Sequence, residues 1–333
     1  MNSYFDLGDD QKRMVITQTA NKIGLPVQAI EKDLWVTTIL KVVFTLPFAD
    51  KLVFKGGTSL SKVYHLIHRM SEDIDLAIDR SFFDLTGDLT KRQTKKLRKQ
   101  SSLFVKEEFT AKLTIKLQEY GLDKYLSVEV EPDGEGDNTY PEPRKIHIHY
   151  PSLFERQSYL NPEVMLEIGS RSLFEPTESA KVLSLVNSTF PQITTDVVDL
   201  DIRTAKAEKT FLEKAFLLHE MFTTDRAHIA DRKSRHMYDL EKMMDVPFAL
   251  EAIKDDDLWN TIAHHREVFT SIKGVDYTPD IRKRISLIPP KEYLDVWRKD
   301  YEAMQLSMIY GDSLPFDKLL ERMKELEDRF HQQ

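Results

Sequence analysis

The amino-acid sequence predicts an α+β protein whose C-terminal part is entirely helical. Apolar and polar residues alternate in three short runs between residues 126 and 168, which is the period of a half-buried strand. A strand, a glycine turn, a helix and a second strand are predicted between residues 52 and 78. From about residue 205 the apolar residues follow helical spacing, so a mixed region precedes a helical one.

Size and composition exclude several classes of protein. The 333 residues suffice for one large or two ordinary domains, and the apolar content of 41% excludes a disordered chain. The 55 acidic and 47 basic side chains give a net charge of -8, so contact with nucleic acid requires a local basic patch. The chain has no cysteine, which excludes disulfides, thiolate catalysis and cysteine-ligated zinc.

The beginning of the chain is acidic and has no apolar core. Asp6, Asp9 and Asp10 lie in this segment, which therefore does not resemble a secretory signal. No run of the sequence approaches the ~18 apolar residues of a membrane-spanning helix. These features favour a soluble, cytoplasmic protein.

Two helices are predicted before the first strand, at about residues 9–24 and 27–45, with Gly24 and Pro26 between them. The second has apolar residues on most of its circumference, which predicts a helix buried in the core. We therefore expect residues 1–50 to be helices packed on a central domain of residues 51–202. Residues 203–333 should form a helical C-terminal domain.

Two adjacent glycines separate the first strand from the helix that follows it. Gly56 and Gly57 allow a sharp turn and a close approach of the backbone to a ligand. Thr58 or Ser59 can cap the next helix. Its apolar stripe is predicted to consist of Leu60, Val63, Tyr64 and Ile67.

The strand after that helix has two carboxylates on one face. Asp73 and Asp75 are two residues apart, which is roughly 6.6 to 7 Å along a strand. Mg²⁺ prefers such hard oxygen ligands and keeps the phosphates of a substrate as further ligands. Two such ions can stabilise both the attacking and the leaving oxygen in nucleotidyl transfer. The pair therefore indicates metal-dependent phosphate chemistry.

A third carboxylate is commonly required to activate the attacking hydroxyl. Glu167 is the candidate, because it is the isolated carboxylate of the strand predicted at residues 163–168. The alternative is a surface side chain on an edge strand. Other phosphate-binding motifs are excluded, since the chain has neither a Walker A loop nor the third glycine of a dinucleotide-binding turn.

A basic run lies between the second strand and the alternating region. Its cationic residues are Lys91, Arg92, Lys95, Lys96, Arg98 and Lys99. Such a run is usually the solvated face of a helix. It can also be a phosphate-contacting patch that lets an acidic protein hold RNA.

Several segments together resemble a known family. Residues 56–62 (GGTSLSK) and 69–76 (RMSEDIDL) resemble motif I of the AbiEii/AbiGii-type nucleotidyltransferase toxins, which belong to the DNA polymerase β-like superfamily. Residues 30–37 (IEKDLWVT), 209–215 (KTFLEKA) and 234–240 (SRHMYDL) add support. Met70 departs from the family pattern, which usually has an aromatic residue there. The resemblance implies a mixed sheet with helices, followed by a helical C-terminal domain.

The resemblance also implies roles for individual residues. Asp73 and Asp75 would bind Mg²⁺, with Glu167 as the less securely matched third ligand. Lys214 would contact phosphate and Asp239 would complete the site from the second domain, and an ion pair between these two is compatible with both roles. The nucleotide would be held by Gly56, Gly57, Thr58, Ser59, Lys62 and Arg235.

Members of this family are typically toxins of two-gene toxin–antitoxin systems linked to phage defence. The resemblance therefore implies an NTP substrate, Mg²⁺ as cofactor and an antitoxin as partner. It also implies transfer of a nucleoside monophosphate to an RNA hydroxyl, such as a tRNA 3′ end. Two alternatives stay open: nucleotidylation of a protein hydroxyl, and a nucleotide-binding or partner-binding module without turnover.

Overall fold

The computed structural model describes residues 2–71, 73–136, 139–155 and 161–333, so Glu72 of the motif at 69–76 lies outside the described residues. The chain divides into two compact units. Unit 1 comprises Met1–Val63 and Ser71–Thr204, and unit 2 comprises Tyr64–Met70 and Ala205–Gln333. Unit 1 contains a mixed sheet with helices and unit 2 contains helices, so the predicted α+β class is confirmed.

The helices of unit 1 begin with the two that the sequence predicts. They are α1 (Asp9–Ile23), α2 (Val27–Val43), α3 (Gly56–Lys62), α4 (Lys91–Phe104), α5 (Thr110–Glu119) and α6 (Leu185–Thr189). Gly24 ends α1 with a left-handed φ of 80°, a conformation that favours glycine. A π-helical turn, Val105–Phe109, joins α4 to α5.

The strands form a mixed sheet and a separate short pair. In chain order they are β1 (Asn2–Ser3), β2 (Leu52–Lys55), β3 (Asp73–Ile78), β4 (Ser127–Val130), β5 (Arg144–His149), β6 (Glu163–Gly169), β7 (Thr177–Ala180), β8 (Ile193–Thr194) and β9 (Ile202–Ala205). β1 pairs with β8, and the sheet has the order β4-β5-β6-β3-β2-β9-β7. β3 is antiparallel to β2 and parallel to β6. The strand with the aspartate pair therefore lies in the middle of the sheet.

One face of this sheet is buried against α2, which contacts both β3 and β6. Ile74 and Leu166 are 0% exposed, and burial of such side chains stabilises the fold by roughly 1.5–3 kcal/mol each. Since side chains alternate along a strand, Asp73 and Asp75 point to the opposite side. We call that side the open face; it is the side to which Asp73, Asp75 and Glu167 point.

The helix after the glycine turn is shorter than predicted. α3 ends at Lys62, and the chain then enters unit 2, where Tyr64 Oη donates to the carbonyl oxygen of Ala205 at 3.0 Å. Ile67 is buried in unit 2, whereas Leu60 is buried in unit 1. The predicted stripe on a single helix is therefore wrong, because its apolar residues belong to two different cores.

Unit 2 consists mainly of helices around an aromatic core. They are α7 (Ala207–Phe222), α8 (Arg235–Met243), α9 (Pro247–Ala252), α10 (Asp256–Phe269), α11 (Leu294–Ser307) and α12 (Phe316–His331). Trp259 is fully buried, with its ring 4.5 Å from that of Phe216 and 5.4 Å from that of Phe330. In the described part of the chain, none of the helices has the length and apolar content needed to cross a bilayer.

Candidate active site

The three predicted carboxylates lie on the open face of the sheet. The parallel register of β3 and β6 pairs Asp75 with Glu167 and Asp73 with Met165. Paired residues on neighbouring strands point to the same side, and the strands are ~4.8 Å apart. Because β6 lies between β3 and β5, the alternative of an edge-strand position for Glu167 is wrong.

Asp75 lies against the backbone of the glycine turn. Gly56 has a φ of +82°, and a Cβ atom at this residue would lie 2.1 Å from Asp75 Oδ2. The turn comes next to this carboxylate because β2 pairs Lys55 with Asp75. Both the left-handed backbone and the close approach require glycine at this position.

The hydroxyl groups after the turn hold the local backbone together. Thr58 Oγ1 donates to the carbonyl oxygen of Asp73 at 2.5 Å and accepts from Ser71 Oγ at 2.7 Å. Ser59 Oγ donates to the carbonyl oxygen of Gly56 at 2.8 Å. Both residues lie inside α3, so the prediction that one of them caps the helix is wrong.

Lys62 is part of a buried ion pair in unit 1. Its Nζ donates to Asp33 Oδ1 at 2.5 Å and to Thr37 Oγ1 at 2.7 Å, both on α2. The other oxygen of Asp33 accepts from the backbone N–H of Leu185 at 2.7 Å. Two of the N–H groups of this buried ammonium group therefore donate to α2.

The donor atoms on the open face fit a divalent cation that a substrate helps to coordinate. Glu167 Oε1 lies 3.4 Å from Lys145 Nζ. Within the described ranges, no group of three or more His, Cys, Asp or Glu side chains is gathered closely enough to hold a metal ion. The donor set at β3 is thus an aspartate pair. Mg²⁺ typically takes one or two carboxylates together with substrate phosphates, so this set suits it.

Arg69, Lys214 and Asp239 form a buried ion cluster in unit 2. Arg69 donates from Nε to Oδ1 and from Nη2 to Oδ2 of Asp239, both at 2.7 Å. Lys214 Nζ lies 2.9 Å from the same Oδ2, and Asp239 is 0% exposed. The predicted ion pair between Lys214 of α7 and Asp239 of α8 is therefore confirmed. Arg69 adds a bidentate contact that the sequence did not indicate.

Opposite charges keep Asp239 ionised in this cluster. Burial raises the pKa of the Asp239 carboxyl, but Arg69 and Lys214 outweigh burial and lower it to about 2. Burial also lowers the pKa of Lys214, and the neighbouring Arg69 and Arg235 lower it further, against the attraction of Asp239. Two cations thus share one carboxylate.

His236 lies beside the ammonium group of this cluster. Burial, followed by the charges of Lys214 and Arg235, lowers the pKa of His236 well below its ordinary value. Its Nδ1 is 3.4 Å from Lys214 Nζ, which has only protons to offer. The environment of His236 thus favours the neutral imidazole.

Sequence reasoning missed two partners in these ion pairs. Arg69 and Asp239 are 170 residues apart, and Asp33 and Lys62 are 29 residues apart, so no local period reveals either pair. A signal was nevertheless present, because each of these residues lies in a segment that carries the family resemblance. Some of the motif residues therefore bind one another.

One of the solved structures found in a comparison of this chain with known structures is a toxin. MenT4, a nucleotidyltransferase toxin from Mycobacterium tuberculosis H37Rv, is 13% identical to this chain, with a TM-score of 0.48. The similarity covers 95% of this chain and 97% of MenT4. Among curated protein sequences, none matches the chain.

A protein-family profile matches most of the chain. It is described as "Nucleotidyl transferase AbiEii toxin, Type IV TA system" and matches residues 39–322. The matched range includes the carboxylates of the open face and the ion cluster of unit 2. A toxin of this family has an NTP as substrate and a cognate antitoxin as partner. This chain therefore belongs to the AbiEii family and is a nucleotidyltransferase toxin of a type IV toxin–antitoxin system.

Proposed function

We propose that this toxin transfers a nucleoside monophosphate from an NTP to a hydroxyl of RNA in a Mg²⁺-dependent reaction, with a tRNA 3′ end as acceptor. The observation that carries the proposal is the common open face of Asp73, Asp75 and Glu167. This arrangement offers an aspartate pair for a metal–phosphate complex and a third carboxylate beside it.

The carboxylates have distinct tasks in this reaction. Asp73 and Asp75 hold Mg²⁺, which offsets the charge of the phosphates when bound. Glu167 accepts the proton of the attacking hydroxyl. The hydroxyl oxygen bonds to the α-phosphorus, the bond from that phosphorus to the oxygen bridging to the β-phosphate breaks, and pyrophosphate leaves.

The other residues indicated by the family resemblance either bind the nucleotide or support the surrounding structure. Gly57 and Ser59 hold the triphosphate, while Gly56 and Thr58 position the turn and β3. For Lys214, Asp239 and Arg235 we propose a supporting role in unit 2, since these charged groups act on one another there.

The basic helix α4 supports RNA as the acceptor. Its exposed cations are Lys91, Arg92, Lys95, Lys96 and Lys99. The helix contains no acidic residue, so its charge is not balanced along its own length. Exposed cations of this kind contact phosphates and release counterions. This helix provides the local basic patch that an acidic protein needs to bind RNA.

The cellular setting follows from these substrates. NTPs and tRNA are cytoplasmic, so we place the reaction in the cytoplasm. We also propose that the toxin and its antitoxin act in phage defence, since loss of functional tRNA would stop translation in an infected cell.

The proposal is tested with four α-labelled NTPs, each offered with total tRNA and with a total protein extract as acceptors. We expect label on RNA with Mg²⁺ present and none after chelation. Label on protein alone would overturn the RNA acceptor in favour of a protein hydroxyl. Tight NTP binding without pyrophosphate release under either condition would indicate a binding module without turnover.

Gly56→Ala should lower nucleotidyl transfer by about 100-fold, because its Cβ would displace Asp75 Oδ2 and misplacement of about 1 Å can have an effect of this size. Gly24→Ala is the matched control. Gly24 has a φ of +80°, but nothing lies within 4 Å of its Cβ position. Both variants should lose roughly 1–2 kcal/mol of stability, and only the first should lose activity. Equal rates of nucleotidyl transfer in the two variants would show that the reaction does not depend on the position of the Asp75 carboxylate beside Gly56.

A further inference from the structure

Two histidines lie on the open face of the sheet, next to the carboxylates. Lys145 of β5 pairs with Glu167 of β6, and His147 and His149 follow Lys145 by two and four residues. Because side chains alternate along a strand, all three point to the open face, and His147 lies roughly 6.6 to 7 Å further along β5 than Lys145. The family resemblance assigns no role to either histidine.

The two imidazole rings are accessible and nearly parallel. The side chains of His147 and His149 are 30% and 42% exposed. The interplanar angle of the rings is 13°, and their centroids are 6.3 Å apart. Neighbouring bases in a nucleic-acid strand are ~3.4 Å apart, so a base with a ring on each of its faces requires two rings ~6.8 Å apart. A small separation of the two side chains therefore makes room for one planar group.

One carboxylate on the neighbouring strand contacts the edges of both rings. Glu163 Oε2 lies 3.4 Å from Nδ1 of His147 and 3.5 Å from Nδ1 of His149. Glu129 also lies beside His149, but its side chain is 72% exposed, and such surface contacts contribute little. The ring nitrogens lie in the plane of the imidazole, so Glu163 orients the rings without covering their faces.

A nucleobase is the planar group that this arrangement favours. Single-stranded RNA has unstacked bases, which proteins bind by stacking them on aromatic side chains, including histidine. Glu163 repels the phosphates of RNA, so the space between the rings suits an uncharged base and not the backbone.

The position of the rings relative to Glu167 indicates which RNA strand they meet. Glu167 Oε1 lies 3.4 Å from Lys145 Nζ, and His147 is the next residue of β5 on the same side. In the proposed reaction Glu167 accepts the proton of the attacking hydroxyl, so the strand that carries this hydroxyl ends beside β5. The rings therefore lie where the last bases of the acceptor strand pass over the sheet.

We propose that His147 and His149 bind one base of the acceptor RNA by stacking, close to the 3′ end that receives the nucleotide. The inference rests on the proposed function, because the role of Glu167 places the acceptor strand at β5. Stacking uses the face of a base and not its edge, so this contact distinguishes a base from an abasic site and tolerates different bases. It positions a single-stranded end of RNA on the open face.

The test uses a 5′-fluorescein single-stranded RNA 12-mer and versions of it with one abasic site among the last nucleotides before the 3′ end. Binding to the full chain is measured by anisotropy. We expect an abasic site at one of these positions to weaken binding by about tenfold, since stacking of one base has an effect of this size. The double variant His147→Gln/His149→Gln keeps N–H groups for Glu163 but has no rings. It should bind the intact and the abasic 12-mers with the same, weaker affinity.

The double variant His147→Phe/His149→Phe separates stacking from hydrogen bonding. It keeps two aromatic rings without their nitrogens, so the abasic site should weaken its binding as in the wild type. His264→Gln is the matched control, because His264 is 56% exposed on α10 and its Nδ1 lies 3.8 Å from Glu267 Oε2. This variant should bind all the RNAs as the wild type does. KM for the NTP should be unchanged in every variant.

Unchanged RNA binding in the glutamine variant would overturn the inference and leave the proposed function intact. An equal loss of affinity in the phenylalanine variant would overturn stacking as the contact. A raised KM for the NTP with unchanged RNA binding would overturn the inference in favour of the base of the NTP. A wild type whose binding depends on the abasic site but which labels no RNA would support the base contact and refute the proposed function.

Discussion

Replacing Asp75 by asparagine should lower the rate of nucleotidyl transfer by about 10³-fold or more. Metal ions supply several kcal/mol of transition-state stabilisation, and about 4 kcal/mol corresponds to a factor of this size. The amide keeps the size of the side chain but removes the charge that holds the cation. Asp75 is packed against Gly56, so its place on the open face is fixed before substrate arrives. Transfer of α-labelled nucleotide to tRNA measures the effect.

Glu129→Gln is the control for Asp75→Asn. Glu129 lies on β4, and its side chain is 72% exposed beside His149, so it should keep the full rate. Urea unfolding should show that Asp75→Asn is no less stable than the wild type, because no buried partner loses its counter-charge. A rate within about tenfold of the wild type would remove Asp75 from the metal site.

Asp239→Asn should lower the free energy of unfolding of unit 2 by about 3–5 kcal/mol. The substitution leaves two buried cations, Arg69 and Lys214, without their shared carboxylate, and breaking a buried ion pair from one side has an effect of this size. The midpoint of urea unfolding, followed by tryptophan fluorescence, measures the change. Asp317→Asn, which breaks the exposed pair with Arg298 in the same unit, should leave the midpoint almost unchanged.

The pH dependence of stability provides a second test of the same cluster. The pKa of Asp239 is lowered to about 2 in the folded state, from 3.8. Its ionised form therefore stabilises the fold above pH 3.8 by roughly 2 kcal/mol, and this contribution disappears as the pH falls toward 2. The wild type should lose it over that range, whereas Asp239→Asn should not. Parallel curves for the two proteins would contradict a charged Asp239 between two cations.

Local sequence patterns correctly predicted the structural features that are determined by residues close together in the chain. The alternation of Ile74 and Leu76 with Asp73 and Asp75 placed the carboxylates on one face of β3, and the structure has that arrangement. The all-round apolar character of α2 likewise indicated a buried helix. In both cases the period of the element and the burial of its residues are set by the same short segment.

Patterns failed where burial depends on distant parts of the chain. Leu60 and Ile67 have helical spacing, but the period says only that each is buried and not in which core. The pairing of Asp75 with Glu167 is a register between strands about 90 residues apart, which no periodicity encodes. The ion pair between Lys62 and Asp33 likewise joins two different helices, which no local pattern indicates.

The segment Tyr64–Met70 ties unit 2 to an early part of the chain. A ribosome makes Arg69 long before Asp239, and the chain between them must close a loop of 170 residues before the guanidinium finds its carboxylate. Met70 then hydrogen-bonds through its N–H to the carbonyl oxygen of Met308, at 2.7 Å. A prematurely terminated translation product therefore lacks the residues that the segment Tyr64–Met70 contacts. Unit 2 is therefore complete only when the chain has been synthesised nearly to its end.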